Sequence, residues 1–266
     1  MSEGLPIKKW EELKCNSMKG FTAVTKLVPV IFEFRLFVWL TLGFILFTVI
    51  GTVSHESGHY IVARCFGYQA KIHYGSTSVD WYSPQEREFL TTVTQKYRTQ
   101  IQFHKPFPEK DQLDKICNRL ENQAILVTIG GPLETILTGT IGLILLLILR
   151  KRYFSSERLS FWQWFIVFIT LFWLRQAANF AVGVGTYIIR GSISHRGDEF
   201  NLDRYFHLPI GTLWVVTAIF ATAILLIVIF KFVPIKQRLT FMAAGIAGGV
   251  TGYLFWLVLF GKMIMP

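Results

Sequence analysis

His55-Glu56-Ser57-Gly58-His59 is the segment whose residue types and spacing could do chemistry. Two histidines four positions apart on a helix share a face, so both imidazoles can reach one metal ion. Zinc takes imidazole nitrogen readily and keeps an open position for water in catalytic sites. Glu56, turned by about 100° from His55 on the helix, can approach such a water without ligating the metal and take its proton. Two imidazoles leave the protein one ligand short. The stretch His195-Arg196-Gly197-Asp198-Glu199, with Asp203 and His207 after it, supplies candidates. A carboxylate is an ordinary third ligand, and residue type alone does not choose among them. The three cysteines, Cys15, Cys65 and Cys117, form no C-x-x-C pair, so neither a cysteine zinc site nor a disulfide framework is implied.

The elements that must hold these residues are apolar. Of 266 residues, 52% are hydrophobic and 17% charged, with a mean hydropathy of +0.42. Soluble domains carry roughly 25% charged residues. Here the charges gather between long apolar runs, the pattern of a polytopic membrane protein. This argues against a disordered chain, a nucleic-acid module or a secreted disulfide scaffold. The net charge of +10 fits basic residues at the ends of membrane helices, where the anionic leaflet attracts them, and no nucleic-acid partner is expected. The first long apolar run begins near Leu36, too late and too long for a secretory signal peptide.

Five stretches are long enough to cross a bilayer, which takes about 20 apolar residues. They are residues 36–54, 124–149, 159–189, 208–230 and 239–261. Residues 21–34 are apolar but broken by Lys26, Pro29 and Glu33, and read as an interfacial lead-in. Glu134 and Arg175 interrupt apolar spans and are expected to pair, since a charge in lipid seeks a partner. Gly183 and Gly185 after Asn179 suggest that the third span breaks or unwinds there. Ala243, Gly245, Gly248 and Gly249 suit close helix contact in the last span. Trp162, Trp164 and Trp173 read as interface anchors and lipid-facing bulk.

The hydrophilic insert, residues 67–122, has two parts. Residues 70–79 are rich in Ile, Tyr, Ser, Thr and Val and are expected to pair as a short hairpin. Leu113, Ile116, Cys117 and Leu120 recur at helical spacing, as in an amphipathic helix feeding the second span. The expected organisation is an N-terminal interfacial segment (1–35), a first span carrying the motif (36–66), the insert (67–122), core spans with the third ligand (123–210) and two C-terminal spans (211–266). The fold class is an all-α polytopic membrane protein with about five transmembrane helices and a small α+β insert after the first. Basic residues outside the spans divide evenly between the two sides, so charge does not set the orientation.

Taken together, the motifs resemble the site-2 protease family of intramembrane zinc metalloproteases. His-Glu-Ser-Gly-His matches the family's H-E-x-G-H in a membrane helix. Gly130-Gly131-Pro132-Leu133 is similar to its G-P turn before a small-residue helix. Gly197-Asp198 followed by Leu208-Pro209 is similar to the family's metal-ligating aspartate stretch. The pieces fall in family order across most of residues 35–210. Three positions depart from the pattern: Thr135 where Asn is frequent, Glu199 where Gly follows the aspartate, and Val182 where an N-x-x-P proline would stand.

The resemblance implies a zinc-dependent intramembrane endopeptidase acting on a membrane-protein substrate within the lipid bilayer, with Zn2+ as cofactor. It implies His55, His59 and Asp198 as zinc ligands and Glu56 as general base, with Asp203, His195 and Glu199 behind Asp198 as third ligand. It gives Asn179 a role in hydrogen-bonding the substrate backbone or the developing oxyanion, against a plain helix–helix hydrogen bond. The family also places a membrane-associated β element after the first span, for which residues 70–79 are the candidate. A prenyl-processing type of membrane zinc peptidase would instead want a distal glutamate, and Glu199 is the one available. A metal-transport protein would want ligands in several spans, which the last two do not offer. A proteolytically inactive helix-binding protein would not need Glu56.

Overall fold

A computed structural model describes residues 31–193 and 197–266. Five helices are long and apolar enough to cross a membrane. The expected lead-in falls mostly, and His195 wholly, outside the described residues.

Helix α1 (Phe34–Cys65) opens the fold. A chain crossing lipid must satisfy its backbone polar groups internally, which favours one uninterrupted helix. Its charge-free run, residues 36–54, rises about 28 Å, close to the roughly 30 Å hydrocarbon core. The His55–His59 turn follows directly on that run in the same helix. Trp39, Leu42, Leu46 and Ile50 form an exposed apolar stripe, while Thr52, His55, Glu56 and His59 are buried. The protein is thus apolar outside and polar within at this level.

The insert begins with an antiparallel hairpin, β1 (Gln69–Ile72) and β2 (Thr77–Asp80), in which Ala70 faces Val79. An isolated hairpin is marginal in water. Here its turn is tied to the last span, because Trp256 Nε1 donates to Tyr74 O at 2.7 Å and Tyr74 N donates to Met265 O at 3.0 Å. Helix α2 (Pro84–Lys96) starts with a Ser83–Glu86 capping box and a proline in its first turn. Short α3 (Arg98–Gln102) follows. Helix α4 (Lys110–Ile148) joins the amphipathic segment to the second span without interruption. Leu113, Ile116 and Leu120 are half-buried, whereas Cys117 points outward.

After α5 (Arg150–Phe154), the third span is α6 (Phe161–Thr170), a tight 3-10 turn (Leu171–Trp173) and α7 (Leu174–Arg190). The interruption therefore precedes Asn179, and α7 runs unbroken through Gly183 and Gly185. Gly183 stays helical and serves contact instead: a Cβ there would meet the Trp214 ring at 2.4 Å. Helix α8 (Asp198–Tyr205) leads to α9 (Thr212–Ile227), which ends in a wider turn (Val228–Phe232). The last span comprises a short turn (Ile235–Gln237), α10 (Arg238–Tyr253), a wide-turn stretch (Leu254–Phe260) and α11 (Gly261–Ile264).

α1 packs between α4 and α10. The expected small-residue contact is present: a Cβ on Gly248 would come within 2.6 Å of Thr41 O. An aromatic core holds α1, α6 and α10 together, with Phe44 against Phe168 at 5.0 Å and Trp164 stacked on Phe241 at 5.4 Å. Trp164 is therefore buried, contrary to the expectation of a lipid-facing anchor. Trp173 is half-buried and donates to Thr140 Oγ1 at 3.2 Å. Trp162 alone of the three is exposed.

The expected Glu134–Arg175 pair does not form. Glu134 Oε1 accepts from Ser54 at 2.5 Å and Thr138 at 2.8 Å, so hydroxyls on α1 and its own helix take the place of the guanidinium.

Candidate metal centre

The turn of α1 that carries the motif faces α4, and α8 brings Asp198 to the same spot. His55, His59 and Asp198 are the group of metal-ligating side chains that the described residues bring together. His55 Nε2 lies 2.9 Å from Asp198 Oδ2, His59 Nε2 lies 3.4 Å from the same oxygen, and the two Nε2 atoms are 3.3 Å apart. Ligands about 2.0–2.1 Å from a tetrahedral zinc stand about 3.3 Å from one another, so the three donor atoms fit the faces of such a site. Burial works against charge on Asp198, but its hydrogen bonds with His55 and His59 hold its carboxyl well below the usual carboxylate range. The ionised form is the one that ligates.

His59 is oriented from behind. Its Nδ1 is 2.7 Å from Val127 O, and a carbonyl can only accept, so Nδ1 carries a proton and Nε2 is the atom that faces the cluster, where it can ligate once deprotonated. His55 Nδ1 is buried without a hydrogen-bond partner among the described residues.

Glycines make the room. A Cβ on Gly131 would lie 2.3 Å from His59 Nε2 and 2.7 Å from His55 Nε2. At the preceding residue of each helix the backbones touch, since a Cβ on Gly58 would sit 2.2 Å from Gly130 O. Pro132, inside α4, lacks the N–H that would bond back along the helix. The Gly-Gly-Pro run is therefore the wall against which the imidazoles stand.

Glu56 is buried beside the cluster and not within it. Its Oε2 lies 3.0 Å, and its backbone oxygen 2.9 Å, from Thr77 Oγ1 on β2. One hydroxyl proton can serve one of these acceptors at a time. The hairpin thus touches the candidate base directly.

The other candidates for third ligand stand elsewhere. Asp203 is fully buried and caps α9, accepting from Gly211 N at 2.7 Å and Leu213 N at 3.0 Å. Those two bonds account for its carboxylate as an N-terminal cap. Glu199 is buried outside the cluster, and burial pushes its carboxyl up. His207 is exposed.

Asn179 lies outside the cluster, in the wall of a cavity of about 700 Å³ between α1, α7, α9 and α10. Arg175, Glu199 and Gly197, the last two flanking Asp198, line the same cavity. Sequence reasoning missed Thr77, the Val127 carbonyl and the place of Gly131 against the imidazoles. Gly131 stood within a recognised motif, but which side chain it faces depends on the crossing of two helices far apart in sequence. Thr77 and Val127 carried no signal.

Comparison of this chain with family models, with characterised proteins and with solved structures finds no match in any of the three.

Proposed function

We propose that this protein is a zinc-dependent intramembrane endopeptidase of the site-2 protease type, embedded in the cell membrane, that hydrolyses a peptide bond in or near a transmembrane helix. The observation that carries this reading is the convergence of His55 Nε2, His59 Nε2 and Asp198 Oδ2 within 3.4 Å, with the Glu56 carboxylate buried alongside. Two imidazoles and one carboxylate are a hydrolytic donor set. A bound zinc ion would supply Lewis-acid polarisation of a carbonyl and a water acidified towards neutral pH.

The protein's own residues do the rest. Glu56 accepts a proton as water oxygen attacks the carbonyl carbon, and returns it to the nitrogen as the C–N bond breaks. Thr77 holds that carboxylate by its hydroxyl. Asn179 offers an amide to the substrate backbone. A membrane helix hides its carbonyls in its own hydrogen bonds, so the substrate must unwind locally, and the hairpin beside Glu56 is an edge on which an extended segment can pair.

The test is zinc per chain in detergent-purified protein, with cleavage of a membrane-helix substrate alongside. Wild type should hold one zinc, and His59→Ala and Asp198→Ala none. Glu56→Gln should keep zinc and lose cleavage. Well-folded wild type without zinc, or Glu56→Gln cleaving at the wild-type rate, refutes the reading.

A further inference from the structure

Four cations gather at the end of the fold remote from the candidate metal centre. Arg150, Lys151 and Arg152 make up most of α5, directly after α4 ends at Ile148, about 25 Å along that helix from Gly131. Lys231 belongs to the wide turn (Val228–Phe232) that closes α9. Two aromatic contacts join these segments, Tyr153 to Phe232 at 5.7 Å and Phe154 to Phe232 at 6.0 Å. Tyr153 is buried and its hydroxyl donates to Gln163 O at 2.8 Å, which fixes α5 in place. Arg150 is one turn before Phe154 on the same face of α5, and Lys231 is the neighbour of Phe232, so both stand beside the ring contact.

All four cations are exposed, and among the described residues none makes an ion pair or a side-chain hydrogen bond. The ordinary uses of such cations are already filled. Basic residues near a helix C-terminus serve its last carbonyls. Here Arg238 does so for α9 and its wide turn, donating to Phe230 O at 2.8 Å and Val233 O at 3.1 Å. The described carboxylates at this end are Glu33 and Glu157, and they are paired with Arg158 at 3.2 Å and Lys236 at 3.0 Å. The charge of Arg150, Lys151, Arg152 and Lys231 is thus left for an anion from outside. The surface beside them is apolar, with Leu147, Ile148, Phe154, Leu226 and Ile227 exposed.

We infer that this end of the fold binds the headgroup of an anionic phospholipid, such as phosphatidylglycerol, with the acyl chains on the apolar flank of α4 and α9. The site does not depend on the peptidase reading. Cations that follow directly on apolar spans lie among the headgroups, and basic pockets between membrane helices bind anionic ones. A phosphodiester offers a full negative charge and two free oxygens, which a guanidinium fork matches. An acidic protein segment matches the cations alone, whereas a lipid matches the cations and the apolar flank together. The two segments are far apart in sequence, so a bound lipid bridges the ends of the second and fourth spans.

The experiment measures lipid binding by the full chain in a neutral detergent. Fluorescent phosphatidylglycerol and fluorescent phosphatidylcholine, alike but for the headgroup, are titrated separately. Phosphatidylglycerol should bind about 100-fold more tightly, and each cation removed should cost about fivefold. Arg150→Gln with Lys231→Gln should therefore lose about 25-fold and leave a preference of only a few-fold. Both positions are exposed, where substitution costs little stability. Lys105→Gln with Lys115→Gln, exposed on the insert, changes the net charge equally and should leave the preference intact. Equal affinity for the two lipids overturns the inference. So does an equal loss in the two double variants, which would make the preference a matter of net charge. Glycerol 3-phosphate competing as well as phosphatidylglycerol would assign the cations to a soluble phosphate. Polyglutamate competing better than phosphatidylglycerol would assign them to an acidic protein partner. Either result overturns the lipid site.

Discussion

Gly131→Ala should abolish metal binding while leaving the helices intact. The added methyl carbon would lie 2.3 Å from His59 Nε2, 2.6 Å from His59 Cε1 and 2.7 Å from His55 Nε2. Carbon contacts settle near 3.5 Å, so the imidazoles must retreat by about 1 Å. Ligand distances in a real site hold to about 0.2 Å, and a 1 Å displacement is several times that tolerance. His59 cannot swing aside cheaply, because its Nδ1 would leave Val127 O at 2.7 Å, a bond worth about 0.5–1.5 kcal/mol. Alanine is itself the better helix former by about 1 kcal/mol, so local helicity should not suffer. The assay is zinc per chain by elemental analysis with chelator competition, beside far-ultraviolet circular dichroism. The expected result is wild-type helicity with zinc affinity down by 100-fold or more. Gly249→Ala is the control, since a Cβ there meets nothing within 4 Å, and it should bind zinc normally. A Gly131→Ala protein with one zinc at wild-type affinity would refute the placement of the imidazoles against α4.

Three further outcomes follow from the same geometry. Thr77→Val should keep zinc and slow cleavage roughly 10-fold, within the range of a general-base contribution; an unchanged rate would show that the hairpin hydroxyl does nothing for Glu56. Asp203→Ala should keep zinc yet cost about 1–2 kcal/mol of stability in thermal melts, as loss of an N-terminal cap does, whereas zinc loss would return Asp203 to the ligand set. Removing metal with a chelator should lower the melting temperature, and zinc at about 1,000 times its Kd should restore about 4 kcal/mol. Wild type and Asp198→Ala melting alike with and without zinc would disprove that linkage.

Much of the fold was legible because lipid leaves a chain few choices. Residues 36–54 and 208–230 carry no charge, and an apolar run of that length reads as a span. The hairpin was legible from β-prone residues between polar ones, and its Ala70–Val79 pairing matches the ends of the stretch proposed for it. What failed depended on neighbours distant in sequence. Gly183 looks like a break until Trp214 is seen to need its missing side chain. Arg175 and Glu134 look like a pair until Ser54 and Thr138 reach the carboxylate first. Trp164 looks like a lipid anchor until Phe241 stacks on it. In the site, the spacing of His55 and His59 was readable, since one helix sets it. The choice of Asp198 over Asp203 was not readable from residue type, because it depends on which carboxylate is already occupied by the N-terminus of α9.

The same crossing that packs the helices also builds the candidate site. Between membrane helices the hydrophobic effect gives no drive to associate, so contact relies on small residues and on polar bonds. At Gly58 and Gly130 the backbones of α1 and α4 meet with no side chain between them. At the next residue of α4, the same closeness leaves Gly131 bare beside two imidazoles. Had α1 and α4 been spaced by ordinary side chains, His55 and His59 would have stood in a gap too wide for Val127 O to orient one of them. The close approach therefore fixes the imidazoles before any metal arrives. Asp198 comes from a third element, α8, which touches α4, and is joined to α1 by its hydrogen bond to His55. A metal held by all three would tie α8 to α1 beside the cavity that Arg175 lines, so its loss would loosen the packing there.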